Sequence, residues 1–440
     1  MSTREKDSKR TQRTNKNRLL YLGGGIVTFI MLVLGFLYLR GFFRQEVEHE
    51  ITNVPSVDDP RFPLLIVGLT DAIATNGELT GFWVGPDDIY AARNQAIRNA
   101  KRTIHFETYY MTPGRRADDF AAALIERAQA GVKVQLLVDD YGTSSITNEY
   151  WQRLRQSGAE VKFFREFDWR SPLDYNSRTH RKLLLLDGQQ AMLGGAGVSD
   201  KWDGDPDIGD RAPWLELEVS YTGEITSILE GLFMRNWAYV GGTVDLGQDL
   251  IQSLSESGTP LYITDSTSKL NESTIRMLFQ VSFLAARERI WISSPYFVPD
   301  VNTRNVLIQA KQNGIDVRVL TMGEKNDKPL VHLASRELYG ELLQAGVQIC
   351  EYQPSMSHAK IALIDNQWVS TGSANFDPRS YMHNDELNVS TNKPELITKI
   401  DNFFVDALAK SNCITHSQWE NRPVTEQIRG RFGLLFKPLL

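Results

Sequence analysis

The apolar positions of this chain fall into three regimes. Residues 19–39 form a run of twenty-one positions without a charge, and at about 1.5 Å per residue it matches a hydrocarbon core of roughly 30 Å. The run predicts a transmembrane helix. A cleaved signal peptide fits less well, because its apolar stretch is about 7–15 residues and ends in a small-residue cleavage site, whereas Arg40 and Arg44 follow here. Arg4, Lys6, Lys9, Arg10, Arg13, Lys16 and Arg18 precede the run, and Glu46, Glu48 and Glu50 lie beyond it. That bias keeps the leading side cytoplasmic and puts the body outside. Past a connecting segment, short strand-like runs alternate with helical ones. The last stretch, residues 417–440, mixes Phe432, Leu434, Leu435, Phe436 and Leu439 with Arg429, Arg431 and Lys437, a pattern that suits either a lipid surface or an apolar strap on the body.

The alternation repeats itself. Thr103–Glu107 recurs as Arg289–Ser293, Gly131–Gln135 as Gly314–Arg318, and Gly158–Lys162 as Gly346–Cys350, with start-to-start offsets of 186, 183 and 188 residues. Each is a short apolar strand, and the last two open on a glycine that closes a helix. An ordered repeat about half the body long predicts two similar α/β halves, each a mixed sheet sandwiched by helices. The expected organisation is a basic tail (1–18), an anchor (19–39), a connecting segment (40–84), two halves (85–250 and 251–416) and the C-terminal tail (417–440).

Composition adds one fact. The formal charge of -6 hides an asymmetry, because residues 1–44 hold nine Lys or Arg against Glu5 and Asp7, leaving the remainder strongly acidic. Such a body is a poor partner for a nucleic-acid backbone, so no nucleic-acid partner is expected. Cys350 and Cys413 are too few for a disulfide scaffold and lack zinc-site spacing, so one bridge or two free thiols remain open.

The repeat carries a chemical motif. His180-x-Lys182 leads through four leucines to Asp187, and 178 residues later His358-x-Lys360 leads through four apolar residues to Asp365. In a strand, positions i and i+2 share a face, so each histidine projects beside a fixed cation. A lone histidine at a strand start is more often structural and a lone lysine solvated, but the doubling in register argues against both. Two lysines and no third ligand make a poor cation site and a good anion site, so no metal or cofactor is expected; Lys182, Lys360 and the Asn375 amide would meet a phosphate. Asp203, Asp205, Asp207 and Asp210 lack EF-hand spacing and read as solvated surface.

The doubled motif, with Gly372–Asn375 and Arg379 after its second copy, resembles the phospholipase D superfamily. Within it, the stretches at 294–300, 342–347, 374–379, 384–386 and 435–440 are most similar to bacterial cardiolipin synthases. The resemblance covers roughly residues 85 to 440. It implies a metal-free, two-step displacement through a phosphohistidine, with His180 as nucleophile and His358 as acid and base. It also implies that a carboxylate from the opposite half orients each histidine, Glu386 for His180 and Glu216 for His358, while Asp187 and Asp365 support the strand ends. The implied substrate is a phospholipid, phosphatidylglycerol, at a membrane; oligomeric state stays open. Hydrolysis to phosphatidic acid is the nearest rival. The acidic body disfavours a nuclease, and two intact motifs disfavour a silent scaffold. Three departures stand out: Gly197 where the family commonly has asparagine, Glu216 for the usual aspartate, and one span where many such synthases show two.

Overall fold

The computed structural model describes residues 18, 21–36, 49–172, 174–245, 251, 258–267 and 273–437, in two units divided after His49. In the first unit residues 21–36 are helical and exposed. Among the described residues no helix is long and apolar enough to cross a membrane. The ends of the predicted anchor, 19–20 and 37–39, lie outside the described residues, as do 1–17 of the basic tail.

The second unit is built on strands β1 (Ile73–Val84), β2 (Thr103–Thr108), β3 (Lys133–Asp139), β4 (Glu160–Phe164), β5 (Arg178–Thr179), β6 (Lys182–Leu186), β7 (Gln190–Gly194) and β8 (Leu217–Thr222), then β9 (Thr259–Ser266), β10 (Arg289–Ser293), β11 (Asp316–Met322), β12 (Gln348–Tyr352), β13 (Ile361–Ile364), β14 (Trp368–Gly372), β15 (Asn384–Thr391) and β16 (Ser411–Ile414). One mixed sheet runs β16-β12-β11-β10-β13-β14-β15-β9-β1-β8-β7-β6-β2-β3-β4, with β5 beside β15. Outward from the central β9 and β1, the order β15, β14, β13, β10, β11, β12 on one side repeats β8, β7, β6, β2, β3, β4 on the other. The repeat read from the sequence is this symmetry: its segments are β2 and β10, β3 and β11, β4 and β12, β6 and β13. Gly131 and Gly314, which open the second segment, take φ of 88° and 87°, the left-handed conformation that ends a helix without a Cβ clash.

Helix α1 (Phe62–Thr70) precedes β1. Helices α2 (Pro86–Asn99), α3 (Arg115–Gln129), α4 (Asn148–Gln156) and α5 (Glu224–Tyr239) serve the first half; α6 (Thr274–Leu284), α7 (Val301–Gln312), α8 (Pro329–Glu337), α9 (Tyr339–Gln344), α10 (Pro378–Met382) and α11 (Pro394–Leu408) serve the second. Helices α12 (His416–Glu420) and α13 (Val424–Leu434) close the chain. On one face of the sheet α5 and α11 share a core that spans both halves, with Phe233, Trp237, Ile400 and Phe403. On the other face each half has its own core. Strand β6 shows why its leucines are continuous: Leu183 and Leu185 enter the shared core, Leu184 and Leu186 the first half's own. A strand buried on both faces cannot alternate with polar residues.

One expectation needs correcting. Residues 50–84 are more than a connector, because β1 pairs with both β8 and β9 and so joins the half-sheets, while Phe62 and Ile66 of α1 are buried in the second half's core. The alternation in β1 is blunted by Thr75, Gly77, Thr80 and Gly81, which hid it. The boundary at 250 and 251 falls in a stretch largely outside the described residues.

Asp187 and Asp365, which close the two motifs, stand at the far ends of β6 and β13 from the lysines. Both take positive φ, 56° and 50°. The Asp187 carboxylate accepts the backbone N–H groups of Lys101, Arg102 and Thr103, and Asp365 those of Arg287, Glu288 and Arg289. They clamp the start of the adjoining strand and do not reach the histidines. Asp365→Ala is therefore expected to lower stability by about 1–3 kcal/mol by orphaning those donors, read as a fall in melting temperature, with turnover per folded molecule unchanged at a temperature where the variant is folded.

Candidate active site

Each histidine is held by the opposite half. The short strand β5 leaves the first half to run parallel to β15, and the His180 N–H donates to the Asp385 carbonyl at 2.9 Å. Reciprocally, a bridge joins Leu215 to Ser357, and the His358 N–H donates to the Leu215 carbonyl at 2.8 Å. The residues that follow these two acceptors are Glu386 and Glu216. Glu386 lies 2.9 Å from His180 Nδ1, and Glu216 lies 2.6 Å from His358 Nδ1. A carboxylate on Nδ1 orients the ring and sets its tautomer, leaving Nε2 as the nitrogen that no carboxylate holds.

The two motifs meet at one site. His180, Lys182, His358, Lys360, Glu216 and Glu386 are all buried, and the charges of one motif act on the other. The Lys182 ammonium donates to the His180 carbonyl at 2.7 Å. That of Lys360 donates to the His358 carbonyl and lies 2.7 Å from His358 Nδ1 and 3.1 Å from Nε2. Burial, then the neighbouring Lys360, holds the Lys182 amine well below its ordinary value; burial brings Lys360 to about 8 against the pull of Glu216 and Glu386. Two desolvated cations side by side favour an incoming anion. Asn375 is buried on the turn after β14, and its Oδ1 has no protein partner among the described residues.

The pseudo-symmetry breaks at the carboxylates. Glu386 accepts the Ser373 hydroxyl at 2.6 Å and the Asn384 amide at 3.2 Å. The position equivalent to Ser373 is Gly195, where a Cβ would collide with the Glu216 carboxylate; besides His358, Glu216 receives among the described residues only the Leu217 N–H, at 3.0 Å. Burial opposes ionisation of Glu386, yet His180, Lys182 and Ser373 together hold its carboxyl below the ordinary range. Burial pushes Glu216 up to about 7. Burial also holds His180 down to about 4, against the opposing pull of Glu386, and burial with Lys360 and Lys182 holds His358 well below its ordinary value. The departure to glutamate at 216 and the glycine at 195 belong together, since the longer arm fills the space of the missing side chain. Gly197 has a separate cause: a Cβ there would strike the Tyr110 carbonyl, so no asparagine fits this backbone.

The site also contains groups that spacing alone did not single out. Tyr109 meets His180 edge-on at 5.2 Å, and Trp202 and Trp214 lie 5.3 and 5.7 Å from His358. The loop read as solvated acidic surface is a correction. Asp205 and Asp210 are buried: Asp205 caps a turn and pairs with Lys201 at 2.7 Å, and Asp210 accepts the Met356 N–H at 3.0 Å, bracing the approach to His358. Asp203 pairs with Arg115 and Arg116.

Known proteins resemble this chain. The family described as "Cardiolipin synthase, PLD-like domain" matches residues 94–202 and 282–408. The probable cardiolipin synthase YwiE of Bacillus subtilis (strain 168) is 29% identical over 91% of this chain and 80% of its own; the cardiolipin synthase of Geobacillus kaustophilus (strain HTA426) is 31% identical over 84% and 72%. Among solved structures, the phosphatidylserine synthase of Haemophilus influenzae Rd KW20 superposes with a TM-score of 0.63 over 85% of this chain and 98% of its own, at 14% identity, a likeness of fold. Since the family match spans both halves and more than half of the chain, this protein belongs to the cardiolipin synthase family of the phospholipase D superfamily.

Proposed function

We propose that this chain is a cardiolipin synthase-type phosphatidyltransferase that moves a phosphatidyl group from one phosphatidylglycerol to the hydroxyl of a second. The observation that carries the mechanism is the unequal pair of histidine–carboxylate couples. His180, neutral and oriented by an ionised Glu386, has a free electron pair on Nε2 to attack phosphorus. The His358–Glu216 couple keeps a proton near neutral pH for the leaving group. In the first step a bond forms from His180 Nε2 to phosphorus, the bond from phosphorus to the glycerol oxygen breaks, and His358 gives that oxygen its proton. In the second, the hydroxyl of another lipid attacks phosphorus, its proton passes to His358, and the phosphorus–nitrogen bond breaks. Lys182, Lys360 and Asn375 would hold the non-bridging oxygens throughout.

The body is proposed to face an oxidising, extracytoplasmic compartment, with residues 19–39 as its anchor and the basic tail on the cytoplasmic side. Two features support this: the charge asymmetry around the span, and the Cys350–Cys413 bridge across the paired strands β12 and β16, since structural disulfides persist in oxidising compartments.

Incubation of the purified chain with phosphatidylglycerol labelled in its headgroup and acyl chains tests the reading. Cardiolipin and free glycerol in equal amounts, formed equally well in chelator, are the expected products. Phosphatidic acid alone would turn the reading to a hydrolase, and absence of any lipid product would overturn it.

A further inference from the structure

Helix α13 turns opposite faces to the body and to solvent. Gly430 and Gly433 are buried against α8; a Cβ at Gly430 would come within 2.6 Å of the Leu333 carbonyl, and one at Gly433 within 3.2 Å of Leu330. The contact is fastened at its edges by Arg422 on Glu337 and by Arg336 on Glu426. The other face carries Val424, Ile428 and Phe432, exposed by 68, 62 and 55%. At about 100° per residue these three lie within an arc of about 80°. Leu435 and Phe436 extend the exposed apolar surface past the helix end. Arg431 falls at one margin of the stripe and Arg429 at the other, both exposed. So extended an apolar face, left in water, marks a contact site.

We propose that this face of α13 is a lipid-contact surface that lies in the headgroup region of an anionic bilayer. The charge pattern selects the occupant. Basic side chains at both margins of an apolar stripe can extend to lipid phosphates while the stripe sinks between them. A two-fold contact with a second copy would bring Arg429 and Arg431 of both copies to one seam, where the stripe residues Val424, Ile428 and Phe432 offer no carboxylate to meet them. The rest of the body is acidic, so it offers no general attraction to such a surface.

The location gives the contact a use, and this consequence, unlike the contact itself, rests on the phospholipid reading above. Helix α8 begins two residues after Asp327, whose charge acts on Lys360. Its Val331 packs with the cluster that holds Trp202 and Trp214, the rings beside His358. Docking α13 would thus bring the bilayer surface to the His358 side of the site, where a headgroup could enter with its acyl chains still in the membrane.

The test uses the full chain with Ile428→Cys, labelled with an environment-sensitive fluorophore; Cys350 and Cys413 are paired and do not react. In vesicles of mixed phosphatidylcholine and phosphatidylglycerol, the emission is expected to shift to the blue and to be quenched by lipids carrying a spin label in the acyl chain. Emission that stays water-like overturns the proposal. So does a blue shift that lipid quenchers do not touch and that fades as protein is diluted into excess lipid, the signature of a second copy. In parallel, the unlabelled double variant Val424→Glu with Phe432→Glu is expected to make cardiolipin from vesicles roughly tenfold more slowly and to match the parent in detergent micelles. An equal loss in both would assign the helix a structural role and also overturn the proposal. Lipid quenching by a parent chain that forms no lipid product would leave the surface standing and sink only the transferase reading.

Discussion

Alanine at His180 or at His358 is expected to lower turnover by about 10⁴-fold, and the double variant to be no worse than either single one. The reason lies in the geometry. In the proposed mechanism both histidines act on one phosphorus, so removing either stops the same first step. A site in each half would instead leave a large residual rate in each single variant and a multiplied loss in the double one. The fold should survive the change, because the bonds that dock these residues on the opposite half are made by backbone N–H groups, to Asp385 and to Leu215, which alanine retains. Glu386 keeps its donors Ser373 and Asn384 after His180→Ala, so that variant should melt closer to the parent than His358→Ala, which leaves Glu216 with the Leu217 N–H as its one hydrogen-bond donor among the described residues. Labelled lipid products give the rates, and circular dichroism with melting curves gives the folding control. More than about one per cent of the parent rate in either single variant would rule out the shared-site mechanism.

Much of this arrangement was legible in the chain itself, and the residues show why. The four repeated segments are strands buried on both faces, such as Lys182–Leu186, or glycine-opened strands such as Lys133–Asp139. Their physics depends on neighbours close in sequence, so pattern alone finds them. The pairing of Glu386 with His180 and of Glu216 with His358 was reachable by resemblance and has a local cause: each glutamate follows the residue whose carbonyl receives the other motif's histidine. What stayed hidden depends on contacts distant in sequence. Strand β1 joins the halves through pairings with β8 and β9 more than 130 residues away, and its Thr- and Gly-rich sequence reads as a connector. Cys350 and Cys413 stand opposite each other only because β16 returns to the sheet edge beside β12. Asp205 and Asp210 look like surface in a row of acids, yet folding buries them with Lys201 and the Met356 N–H as partners. The ambiguity of the C-terminal segment also resolves, since α13 straps onto α8 with one face and shows its apolar residues to solvent with the other.

The unequal carboxylates lead to a pH profile that a symmetric site would not give. With His180 held down to about 4, its nucleophilic nitrogen is free above that pH and protonated below it, so kcat/KM should fall as pH drops through about 4. With Glu216 pushed up to about 7 and His358 held well below its ordinary value, the couple keeps one proton below about pH 7 and loses it above, so kcat/KM should fall as pH rises through about 7. Because kcat/KM reports the free enzyme, these values apply to it directly; the profile of kcat should extend to higher pH, since a bound phosphate stabilises the protonated couple. Glu216→Gln removes the proton store, and the wrong partner on Nδ1 disturbs the His358 tautomer. It should cost about 10³-fold or more in turnover and move the basic limb below 7. Glu386→Gln should be slowed for the same tautomeric reason while keeping its basic limb near 7, because its defect lies in the other couple. If the limbs of both variants shift alike, or if the parent rate climbs between pH 7 and 9, then His358 and Glu216 do not supply the leaving group's proton, and the roles of the two histidines must be exchanged.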